Sequence, residues 1–223
     1  MKIIVFDTET TGLPKSRTIT PNTLHLWPFI VQFSYIIFDT DTNTILKSYD
    51  AIVKLKPYNV ISKDSIEFHG ITQEISETKG INIDTVLFTF ISDMRNADMI
   101  VAHNVEFDLN MIRVELLRLE QSALVNVDLE LRKAIFEDQT NFYCTMKESI
   151  DLCKIEKENS RGTYYKFPTL TELHKHLFAV EPKHLHNSFH DILCTIRCFI
   201  KMKYNQDIVE QNPEFKELIQ KLI

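Results

Sequence analysis

Four consecutive apolar residues, Ile3-Ile4-Val5-Phe6, run straight into Asp7-Thr8-Glu9. The apolar run reads as a buried strand over residues 2–8. On a strand, positions i and i+2 face the same way. Asp7 and Glu9 therefore point together at the place where the apolar run stops. Two carboxylates on one face repel each other, and a divalent cation with oxygen ligands, such as Mg²⁺, relieves that repulsion. A lone D-x-E before Thr10-Thr11-Gly12 is more often a solvated strand end leading into a turn. The rest of the chain has to decide between the two.

The elements that follow alternate. Residues 29–38 (FIVQFSYIIF) read as a second strand, Asp39-Thr40-Asp41-Thr42-Asn43 as a polar turn, and residues 45–54 as a third strand, giving a hairpin. Short helices end near Gly70 and Gly80, and Asp84 is placed to cap a helix reaching Asn96. Residues 98–103 (DMIVAH) form a short apolar strand. Leu109, Ile112, Leu116 and Leu119 have helical spacing over 105–120. A short strand near Phe142-Tyr143 precedes a helix to Cys153. The polar stretch 156–166 (EKENSRGTYYK) is expected to be an exposed loop. Helices over 169–178 and 188–204 follow, and Pro213 opens a last short helix. Strands interleaved with helices indicate an α/β domain with a hairpin on one side of its sheet.

The chain has 223 residues and only four glycines, with no repeat or low-complexity tract, so residues 1–204 are read as one domain. Residues 205–223 are read as a C-terminal tail, a solvated terminal helix rather than a docking segment. The net charge of −6 argues against a broad electrostatic hold on nucleic acid. An acidic enzyme still acts on a polyanion when bound cations lie between its carboxylates and the phosphates. No apolar run approaches the ~18 residues a membrane span needs, and no basic-then-apolar leader precedes the first strand. Cys144, Cys153, Cys194 and Cys198 fit no zinc spacing and read as free thiols of an intracellular, reducing compartment.

Two further motifs carry acidic side chains. In Asn104-Val105-Glu106-Phe107-Asp108, Asn104 suits a helix N-cap and Asp108 falls near the first turn. In His186-Asn187-Ser188-Phe189-His190-Asp191, Ser188 and Asp191 have capping-box spacing, and His186 lies just before an amphipathic helix. Each alone is ordinary helix-start chemistry. Together, and in this order, an acidic pair closes the first strand, an Asp opens the middle helix and H-x4-D opens a late one.

That series resembles the DEDDh exonucleases, the DnaQ-like 3′–5′ exonucleases that include polymerase proofreading subunits. The matching stretches are VFDTETTGL from Val5, His69-Gly70-Ile71-Thr72, VAHNVEFDLN from Val101, and His186 to Asp191. Trp27 to Gln32 and the region from Phe167 to Phe178 are also similar. The resemblance spans roughly residues 1–200. It implies a ribonuclease-H-like fold, a central mixed five-stranded sheet flanked by helices.

It also implies a site. Asp7, Glu9, Asp108 and Asp191 match four carboxylates that hold two divalent ions, Mg²⁺ or Mn²⁺, about 4 Å apart across the scissile phosphate. His186 matches the general base, where the tyrosine-type sister family would place Tyr at position 187, which here is Asn187. Thr10, Thr11, Leu13, His69, Asn104 and Phe107 match positions that seat the terminal nucleotide. Leu13 and Phe107 are equally readable as core packing, and His69 as a helix C-terminal histidine before Gly70. His103 is read as structural. Among the nearby histidines, His190 should face away from Asp191, since adjacent helix positions point about 100° apart, and His184 has nothing to orient it. The implied substrates are single-stranded or frayed 3′ ends, with DNA favoured over RNA and a DNA polymerase as a possible partner. An RNA exonuclease of the same chemistry, and a non-catalytic binding module of the same fold, are the competing readings.

Overall fold

The computed structural model describes residues 1–122 and 141–223. Its main sheet has five strands: β1 (Lys2–Thr10), β2 (Ile30–Asp39), β3 (Thr44–Ile52), β4 (Met99–Ala102) and β5 (Phe142–Cys144). Their order across the sheet is β3-β2-β1-β4-β5. β1 pairs antiparallel with β2 and parallel with β4. β2–β3 is the antiparallel hairpin expected from the sequence, and β4–β5 is parallel. The sheet is therefore mixed, with β1 at its centre.

Alternation along β1 sends its side chains to two cores. Ile4 and Phe6 enter a cluster with Phe33, Tyr35, Phe90, Leu109 and Ile112. α3 (Ile83–Met94) and α4 (Val105–Gln121) cover that face. Ile3 and Val5 enter a second cluster with Ile36, Phe38, Leu193, Ile196 and Phe199. α7 (Leu170–Phe178) and α8 (Ser188–Tyr204) cover that one. Each fully buried Ile, Leu or Phe in these layers contributes about 1.5–3 kcal/mol. The Leu109, Ile112, Leu116 and Leu119 stripe is buried as its spacing predicts.

The helix ends follow local chemistry. α1 (Lys63–His69) stops at Gly70, whose φ of 72° is left-handed and suits glycine. α2 (Gln73–Lys79) stops at Gly80. There the requirement is space, because a Cβ would lie 2.5 Å from Lys54 N. α7 opens with a capping box between Thr169 and Glu172.

Four sequence expectations need correction. Asn82, not Asp84, is the N-cap of α3, and Asp84 lies in its first turn. The helix expected to reach Cys153 is two short ones, α5 (Thr145–Glu148) and α6 (Ile150–Cys153). The 156–166 stretch is exposed, but it forms a hairpin of β6 (Glu156–Asn159) and β7 (Gly162–Tyr165). Its tyrosines and threonine favour extended backbone and Gly162 takes a φ of 117° at the turn. Residues 205–223 are not a solvated tail. They hold α9 (Ile208–Gln211) and α10 (Pro213–Ile219), which bury Ile208, Phe215 and Ile219 in the second core, and Leu222 in the turn after α10 is buried there too. Their spacing of seven, four and three residues is that of a helix face, but spacing alone does not show that the face packs against the rest of the fold. Among the described residues, no helix is long and apolar enough to cross a membrane.

Candidate active site

Odd-numbered residues of β1 face α8, so Asp7 and Glu9 emerge on that side once Ile3 and Val5 have entered the core. α8 starts against the same end of the sheet because polar groups pin it there. The Ser188 hydroxyl meets Ser34 Oγ at 2.6 Å, and the Ser188 amide donates to Gln32 Oε1 at 3.2 Å. Gln32 Nε2 and Ser34 Oγ both donate to Asp50 Oδ1, at 2.8 and 2.7 Å. Asn187 caps the helix through its side chain, accepting from the amides of Phe189 and His190. Ser188 is thus committed to the sheet and not to a capping box with Asp191.

The result is a half-buried triad. Single ligand-competent oxygens of Asp7, Glu9 and Asp191 lie within 4.8 Å of one another. Burial pushes the Asp7 carboxyl well above its usual range, and every neighbouring charge that adds to this is another carboxylate: Asp108, Asp191 and Glu9. Burial, then the charges of Asp191 and Asp108, push Glu9 up to about 8. Asp191 is held up at about 7 by burial, although the amides of His186 and Asn187 bond to it and pull the other way. Oxygen donors this close, with no cation among those perturbing charges, fit a divalent metal ion.

Asp108 stands apart from the triad. It sits in the first turn of α4, on the opposite face of the sheet, and it is buried. Its Oδ1 accepts from the Thr8 amide at 3.1 Å and from the Thr8 hydroxyl at 2.7 Å. Thr8 is an even-numbered residue of β1, so the alternation that joins Asp7 to Glu9 gives Asp108 a different partner. Burial nonetheless pushes Asp108 up to about 7, and its charge reaches Asp7 and Glu9.

His186 is exposed, with a left-handed φ of 68°, and its amide donates to Asp191 Oδ2 at 3.0 Å. Its ring meets Phe68 edge-on, with centroids 5.1 Å apart. His190 Nδ1 is bonded to the His184 carbonyl at 2.8 Å, which turns that ring back into its own loop. His103 lies between the Thr145 hydroxyl at 3.0 Å and the Pro168 carbonyl at 3.2 Å. Burial lowers its pKa to about 4, so it is a neutral structural group.

A groove of about 1120 Å³ opens beside the carboxylates. Thr8, Glu9, Thr10, Thr11, Leu13, His69, Phe107 and His186 all line it. Leu13 is 81% exposed, which excludes core packing. Phe107 is half-buried against the first core and also faces the groove. His69 Nδ1 accepts from the Ile71 amide at 3.0 Å, which leaves Nε2 as the proton donor to the Thr10 carbonyl at 3.3 Å. Thr11 Oγ1 accepts from the Phe29 amide, and its carbonyl from the Ser62 amide. Asn104 is the N-cap of α4 in a left-handed conformation, without a side-chain cap bond.

Sequence reasoning passed over Thr8, Ser34, Asp50 and Phe68. One signal was present: Gln32 and Ser34 interrupt an apolar strand at i and i+2, and so share a face.

The sheet order and the carboxylates gathered at the end of its central strand define a ribonuclease-H-like nuclease fold. Residues 4–199 match the family described as Exonuclease, typified by RNase T. The chain belongs to that family, the DnaQ-like 3′–5′ exonucleases. It is 34% identical over 112 residues to a PolC-type DNA polymerase III from Thermotoga petrophila, an overlap of 50% of this chain but 7% of the polymerase. E. coli Exonuclease I in complex with a dT13 oligonucleotide has a similar structure, with TM-score 0.62 at 16% identity, covering 92% of this chain and 42% of that one. A 3′-exonuclease that recognises the histone mRNA stem-loop gives TM-score 0.62 at 14% identity, covering 93% of this chain and 65% of that one.

Proposed function

We propose that this protein is a metal-dependent exonuclease that removes nucleotides one at a time from the 3′ end of single-stranded or frayed DNA, releasing nucleoside 5′-monophosphates. The observation that carries this reading is the Asp7–Glu9–Asp191 triad, closed to within 4.8 Å beside an open groove. When bound, Mg²⁺ or Mn²⁺ supplies charge neutralisation at the phosphate and activation of the attacking water. Asp7, Glu9 and Asp191 would hold the two ions through their carboxylate oxygens. Asp108, whose Oδ1 is committed to Thr8, steadies the leaving-group side.

His186 accepts the proton of the attacking water at a ring nitrogen. Phosphorus gains that oxygen, the P–O3′ bond breaks, O3′ takes a proton from solvent water, and the shortened strand leaves with a 3′ hydroxyl. Leu13 and Phe107 pack on the terminal base, a contact that tolerates any base because every base has a π-face. His69 keeps the Thr10 carbonyl turned inward, which shapes the backbone beside that base. Asn104 contributes through the backbone turn that aims α4.

RNA is the second reading, supported by the likeness to the histone mRNA 3′-exonuclease. One ribose hydroxyl at the terminal nucleotide separates the two substrates. The likeness to part of a PolC-type polymerase supports a DNA polymerase as partner, and the thiols support an intracellular, reducing setting. The test is a time course on matched labelled DNA and RNA oligomers with Mg²⁺ or Mn²⁺. DNA should shorten faster from its 3′ end, excess chelator should stop the reaction, and a circular single strand should resist. Faster loss of RNA would reverse the sugar preference. Efficient cutting of circles, or full activity in chelator, would remove the mechanism.

A further inference from the structure

The four most exposed large apolar side chains among the described residues are Leu13, Val60, Tyr58 and Phe68, at 81, 76, 72 and 65%. All four line the one groove that holds Glu9 and His186. Leu13 already has an assigned place at the terminal base, and Phe68 lies against His186. Tyr58 and Val60 have neither role. Nor does the fold need them outside. Their loop is anchored on each side by Leu55 and Ile61, both buried in a small core with Val31 and Ile71. The Ser62 amide ties the end of the loop to the Thr11 carbonyl at 3.0 Å. The anchors hold the loop firmly beside the site while its tip presents an aromatic ring and an isopropyl group to solvent. An exposed apolar group held in a groove marks a place where something binds.

The surroundings identify the occupant. The groove, at about 1120 Å³, exceeds the roughly 300–1,000 Å³ of a site for one small ligand. Phe29, Tyr58 and Asn59 also line a neighbouring cavity that does not contain Glu9 or His186, so they form the ridge on the side away from the carboxylates. Lys56, which lines the neighbouring cavity and not the groove itself, places Nζ 5.9 Å from the centre of the Tyr58 ring, over one face, and the ring remains largely open. An aromatic face beside a lysine ammonium is the pairing that single-stranded nucleic acid uses, base on ring and phosphate near cation. We infer that Tyr58, with Val60 and Lys56, forms a second subsite that stacks a base upstream of the terminal nucleotide and so favours an unpaired strand. This inference rests on the exonuclease reading above.

Two substrates separate the subsites. The p-nitrophenyl ester of thymidine 5′-monophosphate fills only the terminal position. A short single-stranded oligothymidylate also reaches Tyr58. In Tyr58→Ala, the kcat/KM for the oligomer relative to that for the ester should fall about tenfold, mostly through KM, the scale of losing one base–aromatic stack. Tyr58→Phe should restore the ratio, because it keeps the ring. Should wild-type protein hydrolyse both substrates and the ratio stay put in Tyr58→Ala, the subsite is wrong and the exonuclease reading stands. If wild-type protein hydrolyses neither with Mg²⁺ or Mn²⁺, both fall.

Discussion

Asp7 and His186 carry the sharpest expectations for single side chains. Asp7 is surrounded by Asp108, Asp191 and Glu9. Asp7→Asn removes one charge without changing volume, so turnover should nearly vanish while the folded protein, checked by circular dichroism, persists. For the general base, His186→Ala should lower kcat by roughly 10²-fold. His190→Ala and His184→Ala should stay near wild type, since the His190 ring is bonded to the carbonyl of His184. A collapse in His190→Ala with normal His186→Ala would show the reverse assignment. His103 gives a pH test. Its folded pKa of about 4 lies below its unfolded value near 6.5. Its contribution to stability is therefore full above about pH 6.5 and is lost as pH falls towards 4. His103→Gln should lose less thermal stability than wild type between pH 7 and pH 5.

At the level of elements, stability depends on how the shorter helices begin and end. α7 follows His103's partner Pro168 directly, and its capping box joins Thr169 Oγ1 to the Glu172 amide and Glu172 to the Thr169 amide. Thr169→Ala should cost about 1 kcal/mol in denaturant unfolding, with little change in kcat. Gly80 is different in kind. A Cβ there meets the backbone of Lys54, which is itself bonded to the Ile81 carbonyl. Gly80→Ala should cost about 1–3 kcal/mol. An unchanged unfolding midpoint in Gly80→Ala would mean the two segments separate easily.

Across the whole molecule, four raised carboxyls make stability depend on pH and on metal together. Asp7, Glu9, Asp108 and Asp191 all have folded pKa values above their unfolded values near 4. For groups raised in this way, the stability is full below about pH 4 and is lost as pH rises through about 7 to 8. Chelator-treated protein should therefore melt at a lower temperature at pH 8 than at pH 5. Millimolar Mg²⁺ should narrow that gap, because an ion that binds only the folded state stabilises it. A chelated protein that melts higher at pH 8 would refute the reading of the cluster.

How much was legible beforehand follows from the range of each interaction. Strand and helix periods depend on neighbours within a few residues, so the five strands and the long helices could be read, as could the Asp7–Glu9 pair on one face. The resemblance in ordered motifs supplied Asp108, Asp191 and His186 as partners, because those motifs sit at element ends. Contacts across the fold were not legible. The Ser34–Ser188 bond joins residues 154 apart, and the bond of Asp108 to Thr8 joins residues 100 apart. Whether Leu13 was core or groove, and whether 205–223 was tail or core, turned on what packed against them. By itself the sequence determined the five main strands and the long helices, the faces of those elements and the inventory of carboxylates. Only the tertiary structure decided that oxygens of Asp7, Glu9 and Asp191 close to within 4.8 Å while Asp108, whose charge still reaches Asp7, bonds to Thr8, because packing alone brings α4 and α8 to the same end of β1 from its two faces.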